Sequence, residues 1–487
     1  MTVVLTGRSD IGLASFLRVA WEGEGVVVAP AALSEVARRR GQLLALIAAE
    51  PDRKRYGVNV HAGDGSHRLM TEAEQRDYER GLHSDTSFGE PLPRRVVRGM
   101  VLARLANFVD GHAGVSAELV ELVAARLDGR PLPPVPRYGN GGPGEIQALG
   151  WLFSDVPAEI DLGVKEGMAL INGSPCASAL LADAVLSTER LLELAVGVFA
   201  LASVAIAVPD ATFDRRLEEV WGDPCDALAL RSLRSLRSPG SPGSGASPGS
   251  PGGGEQELES PPQFTDDEHP QPAVSFRILP RVLGNGFRAL GAARDAASIA
   301  LSAVSDNPVF LFPSGPDDLG DLVSNGGFHN GAAPAGIDGL TFALADLGQL
   351  AQHQLQRLQT SQRALPGLDS LALGTMQMVA AGYAEEARAA VVPSLLPLPG
   401  FGQNDAPAPS FHAFNRVERV RGFVVGSLTC LAVMASQALA RPGRSVPPAL
   451  RPLFETVVSV CPPVIERRSL GPELGELASI LGGGIPD

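Results

Sequence analysis

The sequence predicts a mainly α-helical protein, with a central bundle of long antiparallel helices and a mixed N-terminal portion. Hydrophobic residues make up 45% of the 487 residues, which is enough for a large buried core. Several apolar segments keep a spacing of three and four residues over many turns, as helices do when they pack side by side. Near the N-terminus, residues 26–28 have the composition of a strand.

The N-terminal portion, residues 1–175, is predicted to alternate short helices with loops. Apolar residues at helical spacing predict a first helix over about residues 31–49. Residues 56–68 are rich in glycine and polar residues and predict a loop. Further helices are expected at about 71–82, 94–110 and 116–127, and a proline-rich run from residue 131 ends this series.

The central portion comprises residues 176–230 and 264–440, followed by a C-terminal region over 441–487 with one or two short helices. Helices are predicted at about 177–208, 213–220, 282–304, 336–363, 367–390 and 415–440. Between the two parts, residues 231–263 repeat Ser-Pro-Gly and carry little apolar surface, which predicts a flexible insertion. The insertion is either inert or a segment that shields a site or recruits a partner.

Charge and cysteine content exclude several classes of protein. The net charge is −14, which disfavours a nucleic-acid partner. The four cysteines are scattered and form no CxxC pair, so neither a zinc site nor a disulfide framework is indicated. His61, Asp64 and His67 lie close in sequence, but a solvated loop explains them better than a metal site. No secretory signal precedes the first helix, and we expect a cytoplasmic protein.

The uncharged segment 422–440 is nearly long enough to cross a membrane. A helix that is apolar on every side is either a membrane span or the buried central helix of a large helical protein. The polar residues within the segment and the charges on both flanks favour the buried helix. We therefore expect no membrane partner.

The stretch from Tyr138 to Ile146 reads Tyr-Gly-Asn-Gly-Gly-Pro-Gly-Glu-Ile and cannot form a regular helix, because its glycines and proline disfavour one. Its composition alone is typical of a surface turn. Other motifs surround it along the chain and change that interpretation. They are Tyr56-Gly57-Val58-Asn59, Gly89-Glu90-Pro91-Leu92, the block from Lys165 to Gly173, Ser275-Phe276-Arg277, Ser305-Asp306-Asn307-Pro308 and Gly326-Gly327-Phe328-His329.

In order and spacing these motifs resemble those of the histidine and aromatic amino acid ammonia-lyases. The block Lys-Glu-Gly-Met-Ala-Leu-Ile-Asn-Gly, from Lys165 to Gly173, is the most specific piece of the resemblance. The resemblance covers most of the chain and implies an ammonia-lyase-like fold. It also implies a homotetramer whose active sites each draw residues from three subunits.

The resemblance places an Ala-Ser-Gly triad at Gly142, Pro143 and Gly144. In the family this triad cyclises and dehydrates into the electrophilic imidazolone called MIO, and the serine must lose its hydroxyl for this to occur. Pro143 has no hydroxyl to lose, and residues 138–152 contain no serine, threonine or cysteine. We therefore expect the MIO cofactor to be absent.

Five further residues match functional positions of the family. The resemblance implies that Tyr56 faces the reactive centre, that Asn172 lies in the pocket, and that Arg277 holds the substrate carboxylate. It implies substrate contacts for Gln271 and Phe328. Each residue type suits its role, since a guanidinium pairs with a carboxylate, an amide both donates and accepts, and a phenol with a lowered pKa can move a proton. Each of these side chains could instead have a purely structural role, such as packing in a loop, satisfying backbone groups at a turn or filling the core.

Other family positions have lost their acid or base groups. The Ser-His pair of the family stands here as His83-Ser84, so His83 is a displaced candidate for substrate binding. The second active-site tyrosine is replaced by Val274, and an acidic position is replaced by Asn404.

These departures leave three functions open. The first is an enzyme that acts on an amino-acid-like or carboxylate ligand without MIO, and we favour it narrowly. The second is a pseudoenzyme that binds a ligand or serves as the partner subunit of an active paralogue. The third is an ordinary histidine or aromatic amino acid ammonia-lyase, which requires MIO.

Overall fold

The structure is a computed structural model that describes residues 2–61, 63–80, 86–238, 271–361, 371–396, 402–466 and 468–483. Helices dominate it, as predicted. His83, Ser84 and residues 239–263 of the predicted insertion lie outside the described residues.

The N-terminal portion combines a small parallel sheet with short helices. Strands β1 (Thr2–Leu5) and β2 (Gly25–Val28) pair from Thr2 with Gly25 to Leu5 with Val28. The helices are α1 (Leu13–Phe16), which continues as a π-helical turn over Leu17–Trp21, then α2 (Pro30–Ala49), α3 (Glu72–Arg80), α4 (Arg94–Phe108), α5 (Ala117–Ala125), α6 (Ile146–Leu152), α7 (Val156–Glu159) and α8 (Glu166–Ile171). Single 3₁₀ turns occupy Arg8–Asp10, Gly63–His67 and Pro143–Glu145.

The central portion is built from five long helices and several short elements. In chain order the elements are α9 (Pro175–Ala205), a 3₁₀ turn (Asp210–Phe213), α10 (Arg216–Trp221), α11 (Pro224–Arg237), α12 (Val274–Arg277), α13 (Leu279–Ser302), β3 (Val309–Leu311), β4 (Asp321–Val323), α14 (Ala332–Thr360), α15 (Leu371–Ala389) and α16 (Ser410–Leu439). Strands β3 and β4 form an antiparallel pair. A 3₁₀ turn (Pro448–Leu450), α17 (Arg451–Val460) and α18 (Gly471–Gly482) form the C-terminal region.

Helix α16 lies in the core of the bundle, against α9, α14 and α15. It is the one helix of the described ranges that is long and apolar enough to span a membrane, and 89% of its most apolar window is buried. Burial within the bundle accounts for that composition, because a helix surrounded by other helices is apolar on every side. The predicted apolar face of α14 is likewise buried from Leu340 to Leu358.

Most long helices begin and end within a few residues of their predicted limits, but three strands were missed and the start of the insertion was wrong. The missed strands are β1, β3 and β4, and a pattern of three or four residues is too short to be reliable. The predicted start of the insertion at residue 231 was also wrong, since residues 231–237 are the second half of α11. Leu230 and Leu233 are fully buried on its inner face, which orders a segment whose Arg and Ser content resembles a linker.

Candidate functional site

The glycine-rich loop is anchored to the bundle through Glu145. Gly144 and Glu145 both adopt left-handed backbone conformations, with φ of 69° and 59°. The buried Glu145 carboxylate accepts hydrogen bonds from the backbone N–H groups of Cys176 and Ala177, at 2.6 and 2.7 Å, in the first turn of α9. Burial raises the pKa of Glu145 to about 7, although these N–H groups act in the opposite direction. The loop is therefore a fixed part of the interior at these residues and not a surface turn.

Asn172 lies directly against this loop, as the family motifs imply. Its side chain is buried, and its Oδ1 accepts no hydrogen bond from the described residues. A Cβ added at Gly144 would lie 3.3 Å from that oxygen. The adjacent Gly173 donates its N–H to the Gly144 carbonyl at 3.2 Å. The structure thus places an unused hydrogen-bond acceptor beside the loop.

Buried charged residues fix the segment that ends in Asn172. Lys165 Nζ donates to Asp306 Oδ2 at 2.5 Å and to the Ala113 carbonyl at 2.7 Å, and both charged side chains are fully buried. Desolvation lowers the pKa of Lys165 and raises that of Asp306. Glu79 accepts the backbone N–H groups of Lys165 and Gly167, each at 2.6 Å. This network joins the block from Lys165 to Gly173 to the Ser305–Pro308 motif.

Arg104 was not among the predicted site residues, but it hydrogen-bonds to the backbone of Asn172. Arg104 is fully buried in α4, and its Nη1 donates to the carbonyls of Asn172, at 2.8 Å, and Ala169. A charged residue among Met100, Val101, Leu102, Ala103 and Leu105 was the available signal. Desolvation lowers the pKa of Arg104.

The Tyr56 loop packs against the same region. A Cβ at Gly57 would lie 2.8 Å from Met168 Cγ, and one at Gly63 would lie 3.3 Å from Asn404 Nδ2. Burial raises the pKa of Tyr56 above its ordinary value, and the N–H of Gly63 opposes this only in part. Within one chain Tyr56 therefore lacks the lowered pKa that a general base at neutral pH would need.

His412 is a second residue that sequence reasoning missed. A Cβ at Gly141 would lie 3.8 Å from its Nε2, and burial, with the nearby Arg416, lowers its pKa. The sequence predicts this helix to start at about residue 415, and Pro407 and Pro409 precede that position. Helix α16 instead begins at Ser410 and carries His412 to the loop.

The other predicted site residues lie elsewhere or outside the described ranges. Arg277 ends α12 half-buried, and its Nε donates to the Pro272 carbonyl at 3.0 Å. Across the described residues, no hydrogen bond joins Arg277 to the 142–144 loop or to Asn172. Gln271 is exposed and Phe328 is half-buried. Within one chain, Asn172 therefore lies beside the 142–144 loop, and the Tyr56 loop packs against Met168 in the segment that ends in Asn172.

No cluster of three or more histidine, cysteine, aspartate or glutamate side chains that could hold a metal occurs among the described residues. All four cysteines are free thiols. Cys176 lies beside Glu145, and burial raises its pKa well above the usual range.

Comparison with known sequences gives a family match over almost the whole chain. The family model described as aromatic amino acid lyase matches residues 11–155 and 152–445. Histidine ammonia-lyase of Deinococcus radiodurans is 30% identical over 96% of this chain and 93% of its own length. Histidine ammonia-lyase of Geobacillus thermodenitrificans is 26% identical over 96% and 94%.

Comparison with solved structures supports the fold. Ergothionase of Treponema denticola superposes with a TM-score of 0.86 at 18% identity, over 99% of both chains. Tyrosine aminomutase of Streptomyces globisporus gives 0.85 at 21% identity, over 99% of this chain and 97% of its own. Histidine ammonia-lyase of Trypanosoma cruzi gives 0.81 at 21% identity, over 99% and 94%.

Proposed function

Because the chain belongs to the aromatic amino acid lyase family, we propose that it uses the family's fold to bind a small carboxylate or amino-acid-like ligand without forming MIO. The observation that carries this proposal is Pro143 at the centre of the anchored loop. Formation of MIO requires a side-chain hydroxyl that leaves as water, and proline offers none. The residues of this loop therefore do not fit the cofactor.

The polar groups of the site suit an amino-acid-like ligand. The Nη groups of Arg277 make no hydrogen bond or ion pair within the described residues, so they are available to a carboxylate. The buried Asn172 Oδ1 has no donor among the described residues and would accept a hydrogen bond from an amino group. A ligand that carries both groups would satisfy the two residues at once.

Assembly would bring these two residues to one ligand. Among the described residues of one chain no hydrogen bond joins Arg277 to Asn172, and the resemblance implies sites that draw on three subunits. We therefore propose a homotetramer in which the Arg277 of one subunit completes the site of another. Four free thiols fit a reducing compartment, and we place the protein in the cytoplasm.

Two other functions keep specific support. Histidine or aromatic amino acid ammonia-lyase activity is favoured by the 30% identity to a histidine ammonia-lyase, and it conflicts with Pro143. A role as a non-catalytic subunit beside an active paralogue is favoured by the division of the site between chains, because this chain could lend Arg277 to a neighbour.

Ligand binding to the purified protein tests the proposal. We expect thermal shift and calorimetric titration against amino acids and small carboxylates to give a binder. Arg277→Ala should weaken binding by about tenfold or more, because it removes the carboxylate partner. Arg76→Ala, in an exposed side chain of α3, is the matched control and should bind normally. No binder in the screen, or equal binding by Arg277→Ala, would refute a carboxylate site at this residue.

A further inference from the structure

The side-chain amide of Gln147 occupies the space that a side chain at position 142 would need. A Cβ built on Gly142 would lie 2.7 Å from Gln147 Oε1, 2.9 Å from Nε2 and 3.2 Å from Cδ. Carbon atoms do not approach protein atoms this closely without displacement. The conclusion holds whichever way the amide is oriented, since both its oxygen and its nitrogen are too close.

The overlapping atoms form the end of the Gln147 side chain, so relief of the contact requires the amide to leave the position it occupies. It lies in the first turn of α6, half-buried, and its Oε1 is sealed from solvent without a donor among the described residues. By contrast, a Cβ on the neighbouring Gly141 would lie 3.8 Å from His412 Nε2, its nearest contact among the described residues. Of these two adjacent glycines, only Gly142 therefore conflicts sterically with an added side chain.

The interactions at Gly144 and Glu145 do not involve Gln147. Gly144 has its left-handed backbone, Asn172 lies against it, and Glu145 anchors it to α9. The features that oppose an Ala-Ser-Gly ring are thus confined to Gly142, Pro143 and Gln147.

We propose that Gln147 is a positioning residue whose amide fills the space of the family's alanine methyl group, so that the loop cannot hold an Ala-Ser-Gly sequence in place while Gln147 is present. The inference deepens the proposed function and rests on the proposed absence of MIO in this protein. Introducing that sequence with Gly142→Ala and Pro143→Ser should consequently yield the ring efficiently only when Gln147→Ala is added.

Formation of the ring from Ala-Ser-Gly releases two water molecules in two steps. The backbone nitrogen of Gly144 bonds to the carbonyl carbon of residue 142, and the carbonyl oxygen leaves as water. The serine at 143 then loses its hydroxyl together with its Cα hydrogen as a second water. Complete conversion lowers the mass of the peptide by two water molecules.

Melting temperatures test the steric part of the proposal. Gly142→Ala should lower the melting temperature by about 2 °C or more, because the new methyl group displaces the Gln147 amide. Gly141→Ala is the matched control and should leave the melting temperature unchanged. In a Gln147→Ala background Gly142→Ala should have no effect. Equal losses in the two backgrounds would overturn the proposal.

Mass spectrometry tests the chemical part. The fraction of peptide that has lost two waters should be about tenfold larger in the triple variant than in Gly142→Ala/Pro143→Ser with Gln147 retained. Equal fractions, or no water loss in the triple variant, would overturn the proposal. Water loss in the unmodified protein would instead refute the proposed function, so the two failures are distinguishable.

Discussion

Glu79 and Glu145 are two buried carboxyl groups that hold the backbone of the candidate site. Each accepts two backbone N–H groups, Glu79 from the Lys165 segment and Glu145 from the start of α9. Desolvation nevertheless dominates, and it raises the pKa of both groups to about 7. The folded protein therefore binds these two protons more tightly than the unfolded chain does.

The stability of the protein should consequently fall as pH rises. The contribution of Glu145 is fully present below its ordinary pKa of 4.5 and is lost as pH rises towards its folded pKa of about 7. The loss amounts to roughly 3 kcal/mol for the group. Melting curves between about pH 5 and pH 8 should show this decline, and Glu145→Gln should flatten it.

The exposed Glu118 provides a control for this experiment. Glu118→Gln should melt with the same pH dependence as the unmodified protein. If the melting temperature of Glu145→Gln falls with pH as much as that of the unmodified protein, Glu145 does not contribute to the fall.

Helix α11 illustrates what a local pattern predicts and what it does not. Its second half contains arginine and serine, which in sequence resembles the linker that follows. In the structure Arg234 pairs with Glu218, and Arg237 donates to Asp210 at 2.7 Å. These partners lie outside the helix, so composition alone could not reveal that the segment is ordered.

Two leucines of α11 give a matched test of this packing. Leu233 is fully buried and Leu228 is 42% exposed on the same helix. Leu233→Ala should reduce the free energy of unfolding by about 2–4 kcal/mol, because it leaves a cavity in the core. Leu228→Ala should cost less than about 1 kcal/mol. Similar losses in denaturant titrations of the two variants would contradict the assigned packing.

The long helices of the bundle were predictable because helical spacing records which face is buried. The neighbourhood of Asn172 and the 142–144 loop was predictable from the family motifs. The pairs Lys165–Asp306 and Arg104–Asn172 were not, since sequence pattern indicates that a position is buried but not which distant group satisfies it. His412 was missed for a local reason, because nearby prolines hid the start of its helix.

At the scale of the whole molecule, apolar side chains remain exposed on the bundle. Ile299 on α13, Phe342 on α14 and Met378 on α15 are exposed by 71%, 50% and 74%. Exposed apolar residues on neighbouring helices are typical of protein interfaces. They support the proposed homotetramer.

Disruption of these surfaces should dissociate the assembly. Size-exclusion chromatography with light scattering should give the mass of four chains for the unmodified protein. Phe342→Asp with Met378→Asp should give smaller species, because a charge buried in an interface is costly. Val220→Asp, at a 77% exposed position of α10, is the control and should keep the full assembly. A monomeric unmodified protein would contradict the proposed tetramer.

The mass of the peptide that contains residues 138–152, taken from the purified protein, distinguishes a chain without MIO from one that carries it. The peptide should have the full mass of the encoded residues, with Pro143 intact and no dehydrated ring. A peptide lighter by one or two water molecules, with the near-ultraviolet absorbance of a conjugated imidazolone, would contradict it.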